Sequence, residues 1–512
     1  MYGGAVRNIL RLSERSREND PDLRSAQRTT LESLLRRASA TSFGRVYGFP
    51  GILASADPVL AFREQVPVHS YTKLRDEWWS KCYAGEADIT WPGRTPYFSM
   101  SSGTSDATSK NLPVTHDLIK SINTIGSRQV RALAGFGLPP STFASNALML
   151  GSSTSLVHRN GYLEGDISGI STRHLPWWMS ALYLRPGRNI TDLRSWPERI
   201  DAIVGEAHRW NVGTICGVPS WVTLLLDRLV AHYRLGNIHQ LWPRFNLYIH
   251  GGVAFGNYAQ AFNKLLGRPV TRMETYMASE GSFGYQAVPG RGIRLVADAG
   301  IFYEFIPFTR LTFNEAGECV DSSRCVTLEQ VTEEVNYAIV ISTCGGAWRY
   351  LLGDVVRFTD ARAGEIMITG RTRQFLDVAG EHLSADNMVR ALAETAAHHG
   401  FHPGEFTVTA TKKGLLHGHH WYVGVGDPPS DVAGFTGMLD KCLCRLNDDY
   451  RVARQATIAS VETTFVPHES FHGFLRASGR HEAMSKFPRV LKGDQLNDWQ
   501  QYLAHGKSIV GV

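Results

Sequence analysis

At 512 residues the chain is long enough for two or more domains and a sizeable core, and 43% apolar with 20% charged content fits an ordinary soluble globular protein. Its net charge of +5, from 53 basic against 48 acidic residues, is too mild for a nucleic-acid binder and suits a small anionic substrate. Seven cysteines, odd in number and without a C-x-x-C pair, predict reduced thiols in a cytoplasmic protein.

Met1 to Asn19 carries arginines but no apolar core, so no secretory signal is read there. Residues 22–40 place Leu31, Leu34, Leu35 and Ala38 at i, i+3, i+4 and i+7. That is one apolar helical face, with Arg36 and Arg37 on the solvated side and Thr41–Arg45 ending the helix. From about 140 to 310 apolar runs alternate with helical patterns. Ala147–Leu150, Thr214–Cys216, Leu247–Ile249 and Ile301–Ile306 predict strands, and Ser220–His232 predicts a helix with Leu224, Leu225 and Leu229 inward. The alternation predicts an α/β fold with a largely buried sheet. Val212–Val230 is the most apolar stretch, but Pro219, Asp227 and Arg228 make it a buried loop and helix rather than a membrane span. Near Gly370 the pattern changes. Ser384 to Gly400 predicts an amphipathic helix, followed by strands at Phe406–Thr411 and Trp421–Val425, a helix near 431–446 and a strand at Thr457–Phe465. This αββαβ order predicts a separate α+β domain. The boundary falls within 372–382, dividing 1–375 from 376–512.

Three stretches carry chemistry. In the first, the apolar run Tyr97–Met100 empties into Ser101-Ser102-Gly103-Thr104-Ser105, with Lys110 following. Glycine permits a tight turn, and the loop's hydroxyls and N–H groups are donors for phosphate oxygens, although the spacing is not that of a Walker A loop. Taken alone, it reads first as a Ser/Thr-rich surface loop. The second is Glu274 to Gly284. Tyr276 offers a ring for a purine face and Glu280 a carboxylate for a hard cation; the plain alternative is a strand end with a buried tyrosine. Just upstream, His250-Gly251-Gly252-Val253 follows a strand, at the sheet edge where α/β folds bind ligands. The third is Cys344 to Phe358. Asp354, just after a glycine, suits a ribose diol, and Arg349 reads as either a ligand contact or half of a buried ion pair.

The set SSGTS-x4-K, Y-x-ASE-x2-FG and NYAIV…GAWRYLLGDVV, in that order, resembles the Gretchen-Hagen-three family of acyl-acid amido synthetases, within the adenylate-forming superfamily. Gly165–Ile170, Cys216–Trp221, Phe305–Pro307 and Ser485–Arg489 extend the resemblance over about residues 27 to 495. It implies a large N-terminal α/β adenylating domain with a smaller, mobile α+β C-terminal lid. It also implies ATP and Mg²⁺. Ser101, Ser102, Gly103, Thr104, Ser105 and Lys110 would form the phosphate loop. Tyr276, followed by Met277, Ala278 and Ser279, would lie against adenine beside Gly251, Gly252 and Val253. Glu280 would bind Mg²⁺, Asp354 and Arg371 would hold the ribose, and Lys486 would swing in from the lid to neutralise phosphate charge. The chain departs from the family at Ala107, at Gly380–Ser384 and at Arg373, where a hinge aspartate or lysine is common.

The implied reaction adenylates a small carboxylic acid and passes the acyl group to an amine, an amino acid foremost, releasing AMP and pyrophosphate. Neither nucleic acid nor membrane is an expected partner. An acyl-CoA synthetase sharing the first half-reaction is the alternative, and a non-catalytic nucleotide-binding regulator is a second. Among other constellations, His417–His420 with Cys442 and Cys444 has unusual spacing for zinc and predicts a polar hairpin tip. Cys344 predicts a small buried side chain rather than a nucleophile. Trp177, Trp178 and Trp221 are candidates for an acyl-pocket wall, each equally readable as core.

Overall fold

The computed structural model describes residues 22–505 apart from 102–109, 152, 178, 194, 253–254, 315–316, 373–375, 377–382, 384, 414–415, 448–449, 452–453, 455–457 and 479–486. Helix α1 (Leu23–Ala38) buries Leu31, Leu34, Leu35 and Ala38 and exposes Arg36 and Arg37, as its periodicity predicts. The next residues do more than end it. The Thr41 hydroxyl accepts from the Gly44 N–H and starts a second short helix, Ser42–Val46.

Strands β1 (Tyr97–Ser101) and β2 (Lys110–Val114) pair antiparallel, and α2 (His116–Ala132) follows, capped by Thr115. Then come β3 (Asn146–Leu150), β4 (Val157–Arg159), β5 (Tyr162–Gly165), β6 (Leu184–Arg185), β7 (Val212–Gly217), α3 (Pro219–His232), β8 (Leu247–Gly251), β9 (Thr271–Ala278) and β10 (Gly281–Gln286). The run continues with β11 (Ile293–Leu295), β12 (Ile301–Pro307), β13 (Val326–Thr327), β14 (Asn336–Thr343), β15 (Tyr350–Asp360) and β16 (Glu365–Arg371). Four strands form a small sheet in the order β2-β1-β5-β4, while twelve join in the order β13-β12-β14-β15-β16-β11-β10-β9-β8-β7-β3-β6. The large sheet is parallel from β6 to β9 and antiparallel from β9 to β13. All four predicted strands of this domain are present. The antiparallel half goes beyond the α/β alternation read in the sequence.

One core packs α1 and the N-terminal helices on the antiparallel half, centred on Phe43, Phe49, Phe62 and Trp348, and a second packs α3 on the parallel half. In α3 the predicted inward face is partly wrong. Leu225 and Leu229 are buried together with Val222 and Leu226, whereas Leu224 is 44% exposed. The buried set follows i, i+3, i+4, i+7, and Leu224 lies a third of a turn off that stripe.

The remaining described elements are α4 (Ala385–His398), β17 (Phe406–Lys413), β18 (Leu416–Val425), α5 (Val432–Leu446), β19 (Ile458–Pro467), α6 (His468–Ala477) and α7 (Asp494–His505). Through β19 this is the predicted αββαβ order, with a three-stranded sheet β17-β18-β19. Two further helices, α6 and α7, bring Phe471, Phe474, Phe487 and Trp499 into a satellite cluster. His417–His420 is not a hairpin tip. It lies within β18, and His419 is fully buried there. The two parts of the chain touch where the Tyr258 hydroxyl donates to Glu405 Oε1 at 3.1 Å, while Glu405 Oε2 accepts from Arg489 at 2.6 Å. No described helix is long and apolar enough to cross a membrane.

Candidate active site

A cavity of about 3420 Å³ opens at the carboxyl ends of the parallel strands, and Lys110, Gly251, Gly252, Tyr276 to Glu280, Asp354 and Arg371 line it together. The strand geometry explains the convergence. Gly251 ends β8 beside Thr275 of β9, Ser279 and Glu280 form the turn from β9 to β10, and Asp354 of β15 faces Arg371 of β16. A Cβ on Gly251 would stand 2.4 Å from the Thr275 carbonyl oxygen, and Gly252 has φ of +81°. Both positions therefore require glycine.

Asp354 is the hub. Its Oδ1 accepts from Arg371 Nε at 2.8 Å and its Oδ2 from the Tyr276 hydroxyl at 2.7 Å. Desolvation first, and the Asp354 charge second, push the Tyr276 phenol well above its ordinary range, so it stays a donor. The Tyr276 ring is buried and packs 4.8 Å from Phe283. Glu280 accepts from the Tyr350 hydroxyl at 3.2 Å. Burial raises the Glu280 carboxyl and the Asp354 charge adds to this, while Lys110 opposes it. The Lys110 ammonium stands 5.3 Å from the Tyr71 ring centroid. A buried carboxylate whose charge is disfavoured by desolvation and by a like charge is a fitting site for a cation that would offset both. A single carboxylate with room for phosphate oxygens matches what Mg²⁺ takes.

Several expected site residues cannot be placed. Ser102, Gly103, Thr104, Ser105, Val253 and Lys486 lie outside the described residues, as do Ala107, Arg373, Trp178 and most of 380–384. Ser101 ends β1, and its backbone pairs with Lys110. Ser101 and Lys110 thus stand opposite each other on two antiparallel strands, the second of which carries the lysine. Trp221 lines the cavity, whereas Trp177 is 75% exposed.

Arg349 resolves as half of a buried ion pair. It donates through Nε to Glu304 Oε2 and through Nη2 to Glu304 Oε1, both at 2.9 Å, and through Nη1 to the Val66 and Arg63 carbonyls. Cys344 is buried, and desolvation pushes its thiol up to about 12, as expected of a packing residue. Among the described residues no cluster of His, Cys, Asp and Glu is arranged for a metal. Tyr350 and Tyr71, which attend Glu280 and Lys110, were not singled out by the motifs. Tyr350 stands inside the Cys344–Phe358 stretch, so a signal existed, but its partner lies 70 positions away.

Three domain models of one family match in order. They are the GH3 family N-terminal domain over residues 17–193, the GH3 family central domain over 294–371 and the GH3 family C-terminal domain over 386–495. The chain is 31% identical over 141 residues to the indole-3-acetic acid-amido synthetase GH3.10 of Arabidopsis thaliana, a match covering 25% of this chain and 23% of that protein. The match thus spans less than a quarter of that relative's length. Among solved structures, the GH3.15 acyl acid amido synthetase superposes with a TM-score of 0.74 at 18% identity, over 97% of this chain and 96% of that one. A 2-hydroxyisobutyryl-CoA ligase in complex with 2-HIB-AMP superposes with a TM-score of 0.57 at 14% identity, over 94% and 92%. At these identities the superpositions carry the fold: a large N-terminal α/β domain and a smaller C-terminal one, common to both enzymes.

Proposed function

Because the chain belongs to the GH3 family, we propose that it is an ATP-dependent ligase that adenylates a small carboxylic acid and transfers the acyl group to an amine, an amino acid foremost. The observation that carries this reading is the arrangement around Asp354. A carboxylate held by Arg371 and Tyr276 shares one cavity with Glu280, Lys110 and the Gly251–Gly252 turn. That is a donor and acceptor set for a nucleotide and for little else.

In the first step a carboxylate oxygen of the acid attacks the α-phosphorus of ATP, and pyrophosphate leaves. Both reactants are anionic, so the residues must offset their repulsion. Asp354, fixed by Arg371, accepts from the ribose hydroxyls, and Tyr276 closes the adenine side with Gly251, Gly252 and Val253. Lys110 and the donors of Ser101–Ser105 face the phosphates. Glu280 would hold Mg²⁺, which when bound supplies positive charge to the phosphates. Residues 376–512 act as a lid that brings Lys486 to the adenylation site and then turns to admit the amine. Reduced thiols throughout fit a cytoplasmic setting.

Acid-dependent exchange between ATP and pyrophosphate, over a broad panel of carboxylic acids, tests this reading. Exchange with one acid class, lost about 10²–10³-fold in Glu280→Ala, is expected. Measurable ATP binding with no exchange from any acid, amines present or absent, would sink it. The fold shared with the CoA ligase favours one second reading, a thioester product, and dependence of product formation on CoA would decide for it.

A further inference from the structure

Below the strand ends that face the nucleotide, the cavity has a wall of a different kind. The parallel half of the sheet turns two rows of side chains toward α2. Met149, Cys216 and Ile249 stand in register on β3, β7 and β8, and Ala147, Thr214 and Leu247 form the next row away from the strand ends. Both rows line the cavity. The residues that alternate with them, Leu148, Ile215 and Tyr248, point to the opposite face and into the core under α3. Helix α2 is the roof. Its Ala132 packs with Leu247 and Met273, and Gln129 Nε2 approaches Met273 Sδ at 3.5 Å. Ile122, Gly126 and Val130 of α2 line the cavity from above, one stripe at i, i+4 and i+8.

Gly126 is out of place in that stripe. It lies in the interior of a 17-residue helix, where glycine lowers stability relative to alanine. Neither backbone nor packing requires it: the chain is helical there, and a Cβ would meet no atom within 4 Å. Gly437 of α5 has the same freedom but stands on an exposed face away from the cavity, whereas Gly126 is half-buried against it. A glycine that costs helix stability, and that no neighbour demands, keeps volume free for something else.

The helix also links this slot to the reacting end of the cavity. Near its start α2 passes beside the Glu280 turn, where a Cβ on Gly281 would stand 3.4 Å from Leu118 Cδ1. Gly126 follows Leu118 by eight residues, roughly 12 Å along the axis. An acid whose carboxylate reacts beside Glu280 therefore lays its body past Ile122 toward Gly126. None of the wall residues named here carries a charge, and burial pushes the Cys216 thiol up to about 12, so it stays neutral. The sulfurs of Met149 and Cys216 suit the edge of an aromatic ring. We infer that Gly126 sets the size of the acid: it keeps open a slot between α2 and the Met149–Cys216–Ile249 row, and that slot takes the flat body of an aromatic carboxylic acid. This rests on the ligase reading above and specifies its acyl donor.

Pyrophosphate exchange tests it with benzoate, phenylacetate and cinnamate, and with acetate and octanoate as a short and a long aliphatic acid. In the unsubstituted chain the highest kcat/KM should belong to an aromatic acid. Gly126→Leu should raise the KM for that acid at least about 10-fold, with ATP binding unchanged. Gly126→Ala should raise it by a smaller factor and should melt higher than the unsubstituted chain, since its methyl group meets nothing and alanine favours the helix. If Gly126→Leu loses ATP binding as well, the change of KM in Gly126→Ala decides. An unmoved KM in Gly126→Ala and Gly126→Leu, or a lower melting midpoint in Gly126→Ala, overturns the role of Gly126. Exchange that is fastest with acetate or octanoate overturns the aromatic donor while leaving adenylation standing. ATP binding without exchange from any acid overturns the ligase reading, and the slot with it.

Discussion

The molecule holds two arginine–carboxylate pairs within a few residues of each other on β15 and its approach, and they behave as opposites. Arg349 and Glu304 are 3% and 1% exposed, and the guanidinium is bound bidentately, with its remaining reach spent on the carbonyls of Val66 and Arg63. Nothing is left over for a ligand. Arg371 and Asp354 make a single charged hydrogen bond, and the arginine side chain is 41% exposed along the cavity. Here the Asp354 oxygens, each accepting one hydrogen bond from Arg371 or Tyr276, still have lone pairs for a ligand in the cavity. The first pair ties the N-terminal helices to the sheet that carries Tyr350. The second holds a carboxylate at the wall of the cavity. An arginine–carboxylate pair alone therefore does not make a site; one whose carboxylate stands at a cavity wall can.

The contrast is broken most violently at Arg349. Arg349→Met leaves the buried Glu304 carboxylate with Arg63, 3.5 Å away, as its one remaining cationic neighbour, and loss of one partner of a buried pair costs about 3–5 kcal/mol. Thermal unfolding should show a large fall in the melting midpoint, with every activity lost alongside it. The double variant Arg349→Met with Glu304→Met should regain part of that stability, because the buried carboxylate is gone and the charge left behind, Arg63, is only partly buried. Asp354→Asn comes next. It removes the charge that Arg371 and Tyr276 address, at about 1.5–3 kcal/mol for a charged hydrogen bond. That predicts a rise of about 10–100-fold in the KM for ATP, with a fall in the melting midpoint smaller than that of Arg349→Met. A collapse in stability equal to that of Arg349→Met would erase the distinction between the pairs. Tyr276→Phe is milder. The ring and its packing on Phe283 stay, and one hydrogen bond of about 1 kcal/mol goes, so ATP should bind about five-fold more weakly.

Much of this was legible in the sequence because it is local. The α1 stripe, the predicted strands of the parallel half and the αββαβ order all rest on periods of two or 3.6 residues, which short windows report. The pairing of Asp354 with Arg371 was also accessible, since a hairpin joins neighbouring strands and the two residues lie 17 apart. What escaped is long-range. Glu280 meets Tyr350 and Arg349 meets Glu304 only because the antiparallel half brings β10, β12, β14 and β15 into one sheet. Pairing across 45 or 70 positions leaves no local period. His417–His420 misled for the same reason. Polar residues read as a tip, yet β18 is the middle strand of its sheet, and the burial of His419 is set by neighbours on both sides.

The smallest expected effect runs opposite in sign to the others and concerns Glu280. Burial and the Asp354 charge raise its carboxyl above the ordinary value, so the folded chain binds this proton more readily than the unfolded chain. Stability contributed by that proton is complete at pH below the unfolded value and is lost as the pH rises through the folded one. At neutral pH an ionised Glu280 therefore destabilises the chain. Glu280→Gln keeps the shape and an acceptor for the Tyr350 hydroxyl while removing the charge. Measured at pH 7 with divalent cations chelated, the variant should melt higher than the unsubstituted chain, and the difference should vanish toward pH 4. A residue whose removal strengthens the fold while abolishing exchange is retained for chemistry rather than for packing. A lower melting midpoint at pH 7 would instead make Glu280 a structural partner of Tyr350, and the cavity would contain a second strut where the nucleotide site requires a free carboxylate.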